Sequence, residues 1–243
     1  MKEITIDAGN EHYRTLNEKI NEIAEQNSHI IINNVCGQRY IGAGMKKDIR
    51  LVINGTPGND LGAFMDGPEI IVNGNAQDAV GNTMNSGSII INGNAGDIIG
   101  YGMRGGKIYI KNDVGYRVGI HMKAYKDNFP VIVIGGCARD FLGEYIAGGL
   151  LIILGLNDDV PVGDFVGVGM HGGIIYVRGK INEYQIGKEV GIDISKEDDL
   201  NIIEKYIEEF CVYFKIDKKK IFNKPFFKLY PKYLRPYGKL YAY

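Results

Sequence analysis

Hydrophobic positions recur along this chain with a fixed long period. Gly42, Gly62, Gly81, Gly100, Gly119, Gly143 and Gly167 stand 20, 19, 19, 19, 24 and 24 residues apart. Each follows an aliphatic residue: Ile41, Leu61, Val80, Ile99, Val118, Leu142 and Val166. Three residues past each glycine come Met45, Met65, Met84, Met103, Met122, Ile146 and Met170. Eight and ten residues past it, five copies carry Ile70/Val72, Ile89/Ile91, Ile108/Ile110, Leu151/Ile153 and Ile175/Val177. The first copy, with one extra residue, reaches Leu51, Ile53 and Gly55. The fifth is read with four extra residues around Tyr125–Phe129, which brings Val131, Val133 and Gly135 into phase.

A unit of roughly 19 residues with period-two alternation and no room for a helix is one coil of a β-helix. Each copy reads as turn, short strand, turn, strand and glycine. No coil can bury its apolar positions alone. Stacking at roughly 4.8 Å sets like on like, so methionines and aliphatic pairs line one interior. The predicted fold is all-β: a single-stranded, right-handed parallel β-helix of about seven turns, with short helical segments at both ends. Asn54–Gly55, Asn73–Gly74 and Asn92–Gly93 would signal hairpins in isolation. At one phase of every repeat they read as stacked corners carrying an asparagine ladder. An antiparallel meander or barrel is the competing layout.

The repeat divides the chain into three expected parts. Residues 1–34 form a cap: strand Glu3–Ile6, helix Tyr13–Gln26 with Leu16, Ile20, Ile23 and Ala24 on one face, and strand His29–Asn33. Residues 35–186 form the coils, and residues 187–243 a helix and an arm. In the last part Ser195 is predicted to N-cap a helix through Phe210, with Asp198 three residues on. Ile202, Ile203, Tyr206, Ile207 and Phe210 form its apolar face. Both ends are suited to closing the open strand edges of a β-helix.

Composition narrows the chemistry. The chain has 243 residues and net charge −1, so no global field draws it to nucleic acid or membrane. Its N-terminus lacks an apolar signal core, and no apolar run approaches the roughly 18 residues of a membrane helix. A cytoplasmic protein is expected. Thirty-four glycines are about 14% of the chain, roughly double ordinary usage, and the repeat accounts for them. Cys36, Cys137 and Cys211 form no CxxC pair and read as small buried thiols.

Several strings have the look of sites. Gly100-Gly102-Gly105 and Gly167-Gly169-Gly172 match GxGxxG. Dinucleotide binding needs a helix to open after that string; here strands KIYIK and IIYVR follow, so the glycines read as turns. Three residues before each anchor stand Arg39, Asn59, Asp78, Asp97, Tyr116, Asp140 and Asp164. These carboxylates suit turns through local backbone bonds, or catalysis or calcium on a β-helix face. His12, His29, His121 and His171 share no metal spacing, the last two lying two coils apart. No GxSxG elbow and no GxxxxGK[ST] loop occur. The tail from Tyr213 to Tyr243 holds nine Lys/Arg, one acid and ten aromatics. It reads as an arm docking on the β-helix or on a partner, or as a nucleic-acid contact. No catalytic, cofactor-binding or metal-binding residue is assigned, and no cofactor.

The stretches GNDLGAFMDG (58–67), GNAQDAVGNTMNSGSIIING (74–93), GNAGDIIGYGMRGGKIYI (93–110), FLGEYIAGGLLIILG (141–155) and VGVGMHGGIIYVRG (166–179) carry a family likeness. They resemble the C-terminal β-helix (GXGXG) domain of the glutamate synthase large subunit, over about residues 35–180. The following helix and FFKLYPKY resemble that domain's end. The resemblance implies a β-helix with no catalytic residue, set between a glutamine amidotransferase domain and an FMN- and iron–sulfur-bearing synthase domain. It helps relate two active centres between which ammonia passes. Here no N-terminal nucleophile or cluster cysteines accompany the repeat. The expected role is a non-catalytic structural subunit of a split glutamate synthase, with those two components as partner polypeptides and self-association left open. The insertion near Tyr125–Phe129 and the aromatic arm are expected docking features. The same repeat domain in a formylmethanofuran dehydrogenase subunit supplies a second reading. A free-standing enzyme acting on a polymer through Asp78 and Asp97 is a third.

Overall fold

The computed structural model describes residues 3–233. Strand β1 (Glu3–Asp7), helix α1 (Tyr13–Ala24) and strand β2 (His29–Cys36) open the chain. Seven coils follow, each contributing one strand: β3 (Arg50–Thr56), β4 (Asp66–Asn73), β5 (Ser86–Ile91), β6 (Lys107–Ile110), β7 (Val131–Ile134), β8 (Ala147–Ile153) and β9 (Gly172–Arg178). Strand β10 (Val190–Ile194), helix α2 (Glu197–Phe214) and strand β11 (Phe226–Pro231) complete it. The eleven strands form one sheet in the order β1 to β9, then β11 and β10. Pairs from β1 to β9 are parallel. Contacts of β11 with β9 and β10 are antiparallel. The fold is a parallel β-helix of about seven turns.

Register places like over like. Leu51, Ile70, Ile89, Ile108, Ile132, Leu151 and Ile175 are successive partners, and none has measurable exposure. The methionine column is inside too: Met65, Met84, Met103, Met122 and Met170 are fully covered and Met45 nearly so. Each such side chain stabilises the stack by roughly 1.5–3 kcal/mol. At the fifth coil the expectation is corrected by one position. The residues continuing the inner columns are Ile132 and Ile134, partners of Ile108 and Ile110, so the insertion has five residues rather than four. Val131 and Val133 face outward. In a period-two strand, one residue of slip exchanges the faces.

The outer face of this sheet is also covered. Ile90, Tyr109, Val133, Ile152 and Tyr176 form a second core with Ile203, Tyr206, Ile207 and Phe210 of α2. Thus α2 lies along the side of the stack rather than over its end. Ile202, expected on the apolar face, is half exposed. The helix also starts later and ends later than expected. Lys196 is the N-cap, and its backbone N–H donates to the Asp199 carboxylate at 3.1 Å, replacing the Ser195/Asp198 pair. At the first end, Leu16, Ile20 and Ala24 of α1 join the inner core. At the other end β11 pairs with the open edge of β9, so the FFKLYP part of the arm docks in cis. Residues 234–243 of the arm lie outside the described residues.

One buried charge fastens that closure. Arg178, at the end of β9, is 2% exposed. Its guanidinium donates to the carbonyls of Ile221 (2.6 Å), Leu154 (2.8 Å), Gly155 (3.3 Å) and Lys220 (3.1 Å), and to Asn223 Oδ1 (2.7 Å). Five donors thus meet five acceptors, which offsets desolvation of the charge.

Candidate interaction surface

The corner between strands differs from the expected turn–strand–turn. No second regular strand forms there. Instead the backbone alternates in hand. The anchor glycines have φ between 64° and 72°. Two residues before them, Tyr40, Asp60, Ala79, Ile98, Arg117, Phe141 and Phe165 also have positive φ, between 52° and 64°. Each reversal of hand flips a peptide plane. Anchor N–H groups therefore donate to the preceding coil, as Gly81 does to Leu61 at 2.8 Å. Flanking N–H groups donate to the next coil, as Ala79 does to Asp97 at 2.9 Å. The stacked corners thus satisfy their backbone without a strand ladder, and that holds non-glycine residues in a conformation they rarely adopt.

The polar columns serve the same stacking. Asn54 donates to Asn33, Asn73 to Asn54, and Asn92 to Asn73, at 2.7, 2.8 and 3.2 Å. Asp78 Oδ1 accepts the backbone N–H of Asp97, and Asp97 Oδ1 that of Tyr116, both at 2.9 Å. Asp140 accepts from Asp164 in the same way. Asn75, Asn94 and Asp113 form a parallel column, ending on the N–H of Cys137 at 2.8 Å. Both GxGxxG strings sit in turns: Gly100, Gly102, Gly167 and Gly169 have positive φ. Among the described residues no three His, Cys, Asp or Glu side chains gather to hold a metal ion. The cysteines depart from expectation. Cys36 is exposed and the other two are half-buried. Burial is the main cause that pushes the Cys137 thiol up to about 11, aided by Asp113.

One groove on the corners, of about 350 Å3, crosses five coils. Position two past the anchor supplies Thr83, Gly102, His121 and Tyr145. Position four supplies Arg104, Lys123, Ala147 and His171. The structure brings His121 and His171 to one groove, a juxtaposition that reading them as two coils apart did not reveal. His121 stacks flat on Tyr145 with ring centroids 5.3 Å apart and an interplanar angle of 9°. Tyr101 meets His121 edge-on at 6.0 Å. His171 Nδ1 lies 3.1 Å from the Gly169 carbonyl. Arg104 and Lys123 are exposed and have no ion-pair partner among the described residues. Beside the groove, Arg117 is paired with the buried Glu144 and lies 4.4 Å from the centre of the Phe141 ring. Phe141 stacks on Phe165 at 4.9 Å. Repeat phase was the available sequence signal: Arg104, Lys123 and His171 all stand four residues past an anchor.

A stacked parallel β-helix whose polar columns bond its own backbone defines a β-helix repeat domain. The GXGXG motif family model matches residues 4–237. The chain belongs to that family, the β-helix domain family of the glutamate synthase large subunit. It is 52% identical over 254 aligned positions to the uncharacterized protein MJ1350 of Methanocaldococcus jannaschii, covering 100% of this chain and 97% of that one. Among solved structures it resembles a chain of the formyltransferase/hydrolase complex (FhcABCD) from Methylorubrum extorquens, determined with methylofuran. That likeness has a TM-score of 0.61 at 20% identity, covering 80% of this chain and 70% of the other. It is a likeness of fold. No helix among the described residues is long and apolar enough to cross a membrane.

Proposed function

We propose that the chain is a non-catalytic structural subunit of a split glutamate synthase, holding a glutaminase polypeptide and an FMN/iron–sulfur synthase polypeptide in a fixed relation. The observation that carries this reading is the use of the polar columns that recur at one phase of the repeat. Asp78, Asp97, Asp140 and the asparagine ladder hold backbone N–H groups or one another. Such a body supplies a rigid rod with corner contacts rather than a reaction centre. Membership of the GXGXG family supports the choice of enzyme. The exposed Tyr125 and Phe129 of the five-residue insertion are suited to partner contact. A second reading, a β-helix subunit of a formylmethanofuran dehydrogenase-type complex, draws support from the fold of the FhcABCD chain. Tagging the chain in its native cells and identifying what co-purifies tests both. Glutaminase and flavin-bearing synthase polypeptides are expected. A molybdopterin or tungsten subunit instead would assign it to the second complex, and recovery of the chain alone would count against both.

A further inference from the structure

The groove on the corners has a charge pattern that the β-helix itself leaves unanswered. Arg104, Lys123, Ala147 and His171 occupy one phase of four consecutive coils. Their backbone N–H groups all donate to the preceding coil: Arg104 to Met84, Lys123 to Met103, Ala147 to Met122 and His171 to Ile146, at 2.8–3.0 Å. Ladder bonds of this kind set neighbouring positions roughly 4.8 Å apart. The column therefore presents cation, cation, small residue and imidazole at about 0, 4.8, 9.6 and 14.4 Å along the axis. Beside it runs the aromatic wall of Tyr101, His121 and Tyr145. Stacked like charges without a partner repel, and an anion lying along them relieves that repulsion.

We infer that this groove receives an acidic α-helix of a partner subunit, lying along the β-helix axis. The inference rests on the scaffold reading above. Spacing selects the helix. Alternate residues of an extended strand are about 6.6–6.8 Å apart, which drifts out of step after one coil. Helical positions i, i+3, i+7 and i+10 rise by about 0, 4.5, 10.5 and 15 Å and share one face. Acidic side chains at i and i+3 meet Arg104 and Lys123. A bulky apolar side chain at i+7 lies over Ala147, and a carboxylate at i+10 reaches His171. The open groove, spanning about 19 Å over five coils, also suits an elongated ligand better than a compact anion.

The test uses the purified full chain and fluorescein-labelled helical peptides. One carries Glu at i, i+3 and i+10 with Leu at i+7; a second has the same composition with the acids moved to the opposite face. Fluorescence anisotropy is expected to show binding of the first at least about tenfold tighter than the second. The double variant Arg104→Glu with Lys123→Glu should lose about tenfold or more for the first peptide, with the loss shrinking in high salt. Both side chains are exposed, and unchanged melting would certify the fold. Equal affinity for the two peptides, or no effect of the double variant, would overturn the proposal. So would inorganic pyrophosphate competing as well as the first peptide, which would assign the groove to small anions. Native co-purification of the double variant separates the two claims. If partners remain bound to it while wild-type chain ignores the peptides, the helix proposal fails and the scaffold stands. If wild-type chain recruits no partner, the scaffold reading fails.

Discussion

Asp78 Oδ1 accepts the backbone N–H of Asp97 at 2.9 Å, one coil further on. The residue before Asp97 is glycine for the same reason. A Cβ on Gly96 would overlap that carboxylate oxygen, and a Cβ on Gly115 would overlap Asp97 Oδ1. The carboxylate column and the glycines beside it therefore form one device. Gly96→Ala is expected to cost about 1–3 kcal/mol through overpacking. At this chain length that lowers the melting temperature by several degrees, read by circular dichroism. Asp78→Ala alongside it should restore part of the loss, because the clash goes with the oxygen.

The inner methionine column offers a second test. Met84 is fully buried and shares the inner core with Met65 and Met103. Met84→Asp places a charge there without a partner and should prevent folding or lower stability by more than about 4 kcal/mol. Met84→Leu, which conserves volume, should cost less than about 1.5 kcal/mol. An unshifted melting temperature for Met84→Asp would contradict the inward assignment.

Closure of the last coil depends on Arg178. Arg178→Met removes five hydrogen bonds and strands the buried carbonyls of Ile221 and Leu154. A loss of about 2–5 kcal/mol is expected from leaving these buried acceptors unsatisfied. Limited proteolysis should then cut first between α2 and β11, where the guanidinium ties down the chain.

The pair of Asp199 and Lys228 joins the start of α2 to β11 at 2.6 Å. Hydrogen bonding to Lys228 is the largest cause holding the Asp199 carboxyl below its ordinary value, with the Lys196 N–H adding to it. A depressed folded value contributes stability above the unfolded value, about 3.9. That contribution disappears as pH falls through the folded value. The melting-temperature gap between wild type and Asp199→Asn should therefore be open at pH 6–7 and close as acid is added.

Thiol chemistry should separate the cysteines. Burial pushes the Cys137 thiol up to about 11, while Cys36 is exposed. With iodoacetamide at about pH 8, mass spectrometry should find Cys36 modified first and Cys137 slowly, since the thiolate is the reactive form.

The coils were legible in the sequence because stacking forces one residue type to recur at one phase. The recurrence of Met65, Met84 and Met103 at one phase marks the interior. The fifth coil was not legible to the residue, since Val131, Ile132, Val133 and Ile134 are all apolar and all buried. With both faces covered, alternation vanishes and only hydrogen-bond register tells Ile132 from Val133. For the same reason Tyr109 and Tyr176 did not reveal that α2 lies over them. Their hydroxyls, which donate to Glu209 and Asp199, are pushed up chiefly by burial. The groove was half legible: phase lines up Arg104 with Lys123 and His121 with Tyr145, while the flat stacking of the two rings is a side-chain geometry that phase does not give.

The role as scaffold is tested most directly by reconstitution. Purified glutaminase and flavin-bearing synthase polypeptides are assayed for glutamine-dependent glutamate formation, with this chain added in steps. Coupled activity is predicted to rise until the chain is stoichiometric, with no turnover and no bound FMN in the chain alone. Full coupling without the chain, or glutamine turnover by the chain itself, would contradict the account.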